Sequence, residues 1–187
     1  MPGEIFLIRH GETEWSRSGQ HTSRTDLPLT DEGRRRAQAV GALLNGKTFA
    51  LVLSSPMRRA VETCRLAGFE PQVEPNLHEW DYGSYEGLTT DQIHETAPNW
   101  TIWNGTPPGG ESAAQVASRA DRVIDRCADS AGPVALFGHG HMLRVIGARW
   151  LGLAPDSGRL LALSTGSVSV LGWERETRVV SLWNQTA

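Results

Sequence analysis

The sequence predicts a three-layer α/β/α sandwich around a mostly parallel central sheet, and three observations carry that reading. The runs Ile5-Phe6-Leu7-Ile8, Leu51-Val52-Leu53 and Val134-Ala135-Leu136-Phe137 are continuously apolar, the pattern of strands covered on both faces. Each run is followed by a segment whose apolar residues recur at helical spacing. Strands alternating with helices in this way stack into a sheet flanked by helical layers.

In chain order, the first run ends at Arg9-His10-Gly11. After a polar loop, Thr30 is placed to cap a helix with Asp31 and Glu32 in its first turn, and Ala37, Val40, Gly41 and Leu44 fall on one face. The second run leads into Ser54-Ser55-Pro56, and Pro56 fits the first turn of a helix continuing through Val61 and Cys64, because its missing N–H costs nothing there. Thr89 and Gln92 read as a capping box for a short helix that Pro98 would end. Pro107-Pro108-Gly109-Gly110 forbids regular structure, so residues 98–112 read as a long loop over one face. With no linker or repeat in the chain, the stretch around 88–112 is taken as an insertion or lid within a single domain spanning 1–187. Ser112 and Gln115 form another capping box, ahead of a helix that buries Val116, Ala120, Val123, Ile124 and Cys127 opposite Arg119, Arg122 and Arg126. The third run ends at Gly138-His139-Gly140 and feeds a helix through Leu143, Val145, Ile146 and Trp150. Strand-like segments at 160–163, 168–173 and 179–183, linked by short turns, complete the chain.

Composition narrows the functions available. A chain of 187 residues, 39% apolar, can bury one substantial core. Its formal net charge of -3 gives no general attraction to nucleic acid or to an anionic membrane, so any anion must be held by a local cluster. The first apolar run stops after four residues without a basic segment before it, and no apolar stretch approaches the roughly 20 residues a spanning helix needs. A soluble, cytoplasmic protein is expected. Cys64 and Cys127 lack both a disulfide framework and metal-ligand spacing, and are expected to be reduced core residues.

Two of the apolar runs end alike, in a histidine followed by glycine. Parallel sheets bind ligands beyond the carboxyl ends of their strands, so His10 and His139 face one crevice if their strands are neighbours. The adjoining glycines let the backbone approach an anion. A third strand end brings Ser54-Ser55-Pro56-Met57-Arg58-Arg59 to the same edge. The planar guanidinium fork matches a pair of phosphate oxygens, so Arg9 and either Arg58 or Arg59 would surround an anion with the two histidines. Ester cleavage also needs a proton donor for the leaving alcohol. Within Leu77-His78-Glu79-Trp80-Asp81-Tyr82-Gly83, Glu79 lies between bulky neighbours that would desolvate it and favour the protonated form; Asp81 and Glu86 compete for the role. Trp15, Trp80, Tyr82, Trp100 and Trp103 would partly close the pocket. His139 and His141 are not taken as a metal pair, because His141 would turn outward or begin the next helix.

At these residues the sequence resembles the histidine phosphatase superfamily, also called phosphoglycerate mutase-like, over nearly the whole chain. The matching blocks are Leu7-Ile8-Arg9-His10-Gly11-Glu12-Thr13, Ser54-Ser55-Pro56-Met57-Arg58-Arg59-Ala60, Leu77-His78-Glu79 with Gly83, Glu86 and Gly87, and Gly138-His139-Gly140. The resemblance selects Arg59 over Arg58 and Glu79 as the acid. It implies that His10 attacks phosphorus, that Arg9, Arg59 and His139 hold the phosphoryl oxygens, and that Glu79 protonates the leaving oxygen and then serves as base for water. It implies neither metal nor cofactor. It also brings Ser16, Thr22, Ser23 and Gly140 among the phosphate and substrate contacts, with Ser16 where members often carry asparagine and Ser23 where the related branch carries glycine. That branch includes sugar phosphate and sugar bisphosphate phosphatases, so the expected partner is a small phosphorylated metabolite.

A cofactor-dependent phosphoglycerate mutase would use the same His10, but mutases of the family generally carry a longer insertion than residues 88–112 provide. A non-catalytic phosphate-binding module would be expected to lack His10, Arg59 or Glu79, and this chain has all three. The strand-rich residues 160–184 could lend an edge to a homodimer or be covered within one chain.

Overall fold

The computed structural model describes residues 3–187. The sheet is built from β1 (Ile5–Arg9), β2 (Leu51–Ser54), β3 (Gln72–Val73), β4 (Val134–Gly138), β5 (Val168–Glu174) and β6 (Thr177–Gln185), in spatial order β3-β2-β4-β1-β5-β6. β3, β2, β4 and β1 run parallel; β5 pairs antiparallel with β1, and β6 with β5. The helices are α1 (Glu14–Ser18), α2 (Asp31–Leu43), α3 (Arg58–Leu66), α4 (Thr90–His94), α5 (Ala113–Ala128) and α6 (Gly140–Trp150).

The unbroken apolar runs are explained by two cores, one on each face. Ile5 and Leu7 of β1, with Val134 and Leu136 of β4, pack toward α5 and α6, while Phe6, Ile8, Ala135 and Phe137 pack toward α2 and α3. Successive strand residues point to opposite faces, so burying both faces requires an apolar residue at every position. Thr30 caps α2 as expected, and the Thr89/Gln92 and Ser112/Gln115 boxes are both formed.

Several expectations are corrected. α3 starts at Arg58, with Met57 at the N-cap position and no side-chain cap, so Pro56 lies ahead of the helix rather than in its first turn. α4 ends at His94, before Pro98 can stop it. Residues 160–163 do not form a strand: Pro155–Leu160 is a 3-10 helix, Leu160 is 72% exposed, and the carbonyls of Ala162 and Leu163 accept side-chain hydrogen bonds from Trp183 and Arg9. Arg119 is not simply on the solvent side of α5, for it turns in to donate to Glu111 and to the carbonyls of Asn76 and His78. Cys64 and Cys127 are free and buried, and burial pushes both thiols up to about 12. Among the described residues no helix is long and apolar enough to cross a membrane.

Candidate active site

β1, β2 and β4 end together, and their pairing runs one residue further: the His10 N–H donates to Gly138 (3.0 Å) and the Ser55 N–H to Phe137 (2.9 Å). This register brings His10, Ser55 and His139 to one edge. Two glycines make room there. A Cβ on Gly11 would lie 2.3 Å from the Gly33 carbonyl oxygen, and one on Gly140 would lie 3.2 Å from the guanidinium carbon of Arg9. Only glycine lets α2 approach the first loop, and glycine at 140 lets Arg9 lie across the start of α6.

A cavity of about 290 Å³ opens at this edge, and Arg9, His10, Ser16, Thr22, Glu79 and Gly140 all line it. The Nδ1 of His10 lies 2.7 Å from the Gly11 carbonyl oxygen. A carbonyl accepts only from a protonated nitrogen, so Nε2 keeps its lone pair. Burial, reinforced by Arg59 and Arg9, holds the imidazole pKa well below its ordinary value, so the ring is neutral near pH 7.

His139 and Arg59 form the layer beneath. Arg59 Nε donates to His139 Nδ1 (3.2 Å), which leaves the proton on Nε2 to donate to Ser55 Oγ (2.7 Å). The His10 and His139 ring centroids are 5.2 Å apart. The Arg59 guanidinium also donates to the carbonyls of Thr22, Ser23 and Thr25, pinning the first loop. Arg58 is at the surface, facing Glu62 at 3.8 Å, so only Arg59 enters the site. Arg9 is partly buried; it donates to the Leu163 carbonyl, and its Nε has no hydrogen-bond partner among the described residues.

Of the competing carboxylates only Glu79 reaches the cavity. Its oxygens accept the backbone N–H groups of Trp80 (2.8 Å), His141 (3.0 Å) and Met142 (2.8 Å), two of them from the first turn of α6. Asp81 pairs with Arg24, and Glu86 accepts the N–H groups of Ser23 and Thr25. Ser23 has both donors engaged, its N–H on Glu86 and its hydroxyl on the Glu79 carbonyl, and it does not line this cavity. Ser16 lines the cavity while its hydroxyl closes the capping box of α1 with Thr13, and the Thr22 hydroxyl donates to Gln20.

The sequence profile of the histidine phosphatase superfamily (branch 1) matches residues 5–186. The chain belongs to this superfamily. An acid phosphatase of Mycobacterium tuberculosis is 41% identical over 187 residues, covering 97% of this chain and 92% of that protein. A sedoheptulose 1,7-bisphosphatase of Saccharomyces cerevisiae is 34% identical over 182 residues, covering 79% and 67%. A 2,3-bisphosphoglycerate-dependent phosphoglycerate mutase of Gloeobacter violaceus is 31% identical over 160 residues, covering 76% and 73%. Among solved structures, that of an open reading frame product from Mycobacterium tuberculosis superposes with a TM-score of 0.93 at 39% identity, covering 100% of this chain and 99% of that one. A mycobacterial glucosyl-3-phosphoglycerate phosphatase superposes with 0.87 at 27% identity, covering 97% and 98%.

In this histidine phosphatase the cavity also includes residues that the motifs do not reveal. His21, His141 and Arg144 line it, together with Tyr82, which the sequence placed at the pocket. The Tyr82 hydroxyl lies 2.6 Å from His141 Nδ1, and the His21 ring centroid is 4.8 Å from that of Tyr82. Burial pushes the Tyr82 hydroxyl well above its ordinary range, so it donates, and burial holds His141 and His21 down, so both are neutral. His141 does begin α6, as expected, but points inward instead of outward. Its position two residues after His139 was the available signal. Of the aromatics expected to close the pocket only Tyr82 lines it; Trp80 is fully buried in the core, and Trp103 packs behind His141 at 5.2 Å between ring centroids.

Proposed function

We propose that this histidine phosphatase hydrolyses small phosphorylated, hydroxyl-rich metabolites through a phosphohistidine at His10, without a metal. The carrying observation is the neutral His10 ring, with Nδ1 turned to a carbonyl and Nε2 left as a lone pair in a cavity that also holds Arg9 and Glu79. In the first half-reaction Nε2 attacks phosphorus in line, the P–O ester bond breaks, and Glu79, as general acid, gives a proton to the departing alkoxide. In the second, Glu79 takes a proton from water, the hydroxide attacks phosphorus, and the P–N bond breaks to release phosphate and restore His10. Arg9 faces the phosphoryl oxygens, while Arg59 and His139 support the charge and the geometry from beneath.

His21, Tyr82, His141, Gln20 and Thr90 offer neutral hydrogen-bonding groups around the alcohol half, which suits a polyol better than an apolar alcohol. Similarity to a sedoheptulose bisphosphatase supports the same substrate class. Release of inorganic phosphate from sugar phosphates, sugar bisphosphates and phosphoglycerates, measured with chelator present, tests the reading. Release that survives chelation is expected. Isomerisation of phosphoglycerate without release would replace the phosphatase with a mutase, and release that chelation abolishes would end the metal-free mechanism.

A further inference from the structure

We propose that Arg144 forms a second anion subsite in this cavity, so that the substrate carries another anionic group, a phosphate or a carboxylate, beside the ester that is cleaved. The proposal rests on reading the cavity as a phosphatase site. Arg144 lines the same cavity as His10 and Arg9. It follows Gly140, which packs against the Arg9 guanidinium, by four residues of α6, so its backbone lies about one turn, or ~6 Å, further along the helix.

The Arg144 side chain is held in place by neutral groups. Its Nε donates to the Gly158 carbonyl (3.0 Å), one terminal nitrogen donates to the Arg159 carbonyl (3.2 Å), and the guanidinium carbon sits 4.7 Å from the centroid of the Trp103 ring. Among the described residues no carboxylate lies within 4.0 Å of either Arg144 or Arg9. Glu79 is the one carboxylate on the cavity lining, and His21 and His141 contribute no charge because burial keeps both neutral. A phosphoryl group is met by Arg9, with Arg59 beneath it. Arg144 is then a fixed, partly desolvated cation that feels the Glu79 carboxylate across the cavity but pairs with no carboxylate among the described residues, and an anionic group on the far side of the substrate would satisfy it.

The test compares esters with one anionic group, fructose 6-phosphate and glycerol 3-phosphate, against esters with two, fructose 1,6-bisphosphate and 3-phosphoglycerate. kcat/KM for phosphate release is measured on the wild-type protein, and Kd by calorimetry on His10→Ala so that no turnover interferes. A doubly anionic ester is expected to be preferred by roughly 10- to 100-fold in both measurements, the worth of a hydrogen bond to a charged group. Arg144→Gln should remove most of that preference and Arg144→Lys should keep more of it, which a mere brace for Gly158 and Arg159 would not do. Preference for the bisphosphate alone, or for the phosphorylated acid alone, supports the subsite and identifies its anion. Equal values for singly and doubly anionic esters in the wild type overturn the proposal whether or not the variants fold, as does a preference untouched in a folded Arg144→Gln. A binding preference without phosphate release from any ester would instead overturn the phosphatase reading and leave the subsite standing.

Discussion

β1 and β4 are adjacent parallel strands that end in the same local signal, a histidine followed by a glycine, yet the two histidines are held in opposite ways. His10 spends one ring nitrogen on a neighbouring carbonyl and leaves the other free in the cavity. His139 spends both, one accepting from Arg59 and one donating to Ser55, and lies in the layer below. Both are kept neutral, first by burial and then by nearby Arg59. Hydrogen-bond partners, rather than burial or the motif, separate the proposed nucleophile from its proposed support.

The sharpest break in this pairing is His10→Ala, which should lower phosphate release by on the order of 10⁴-fold or more while the fold survives. Normal rates in that variant would end the phosphohistidine mechanism. Glu79→Gln should cost roughly 10²- to 10⁴-fold on sugar phosphates and far less on p-nitrophenyl phosphate, whose leaving group needs no proton. An equal loss on both esters would mean that Glu79 does not act as the acid.

His139→Ala should behave differently from His10→Ala. It leaves Arg59 Nε without its acceptor, removes the His139 donor from Ser55 and empties a ring-sized space inside a buried layer, so it should destabilise the protein by about 2–4 kcal/mol as well as slow it. Urea melts of the two variants make the comparison; equal midpoints would erase the distinction drawn here. Ser55→Ala leaves the His139 Nε2 proton unpaired and also removes the acceptor of the Met57 N–H, while keeping the Arg59 bond, and about 1–3 kcal/mol is expected.

Group by group, the smallest expected effect is on pH dependence. In the unfolded chain each imidazole takes up a proton near pH 6.5, whereas His10, His139 and His141 stay neutral when folded because burial holds their pKa values well below that. Their stabilising contribution is full above about pH 6.5 and is lost as pH falls toward the folded-state values, at up to about 1.4 kcal/mol per pH unit for each group. Urea midpoints should therefore fall between pH 7.5 and 5.5. A flat profile would show that the three rings protonate in place.

Much of this was legible before any coordinates. The alternation of apolar runs with helical periodicity predicted the layered sheet because burial on two faces leaves its mark at every residue of a strand. The boxes beginning at Thr89 and Ser112 were legible because a cap is a contact between residues three apart. The carboxyl edge of the sheet brought His10, His139 and Arg59 together from three separated segments; strand ends followed by their loops predict the gathering but left Arg58 and Arg59 open, and the family resemblance selected Arg59.

What the sequence alone determined, then, was whatever rests on near neighbours: strand and helix periodicity, caps, and the kind of residue at each strand end. Contacts across long separations were decided only in the tertiary structure. The residues that read as a strand at 160–163 lie outside the sheet, where distant side chains take the carbonyls of Ala162 and Leu163. Ser23 is drawn from the cavity by Glu86, 63 positions away, and His141 is turned inward beside Tyr82, 59 positions away. Arg144 reads as an ordinary surface residue of a helix until Gly158, Arg159 and Trp103 hold it against the cavity. Such partners are chosen by how the layers pack, and no local pattern of residues encodes them.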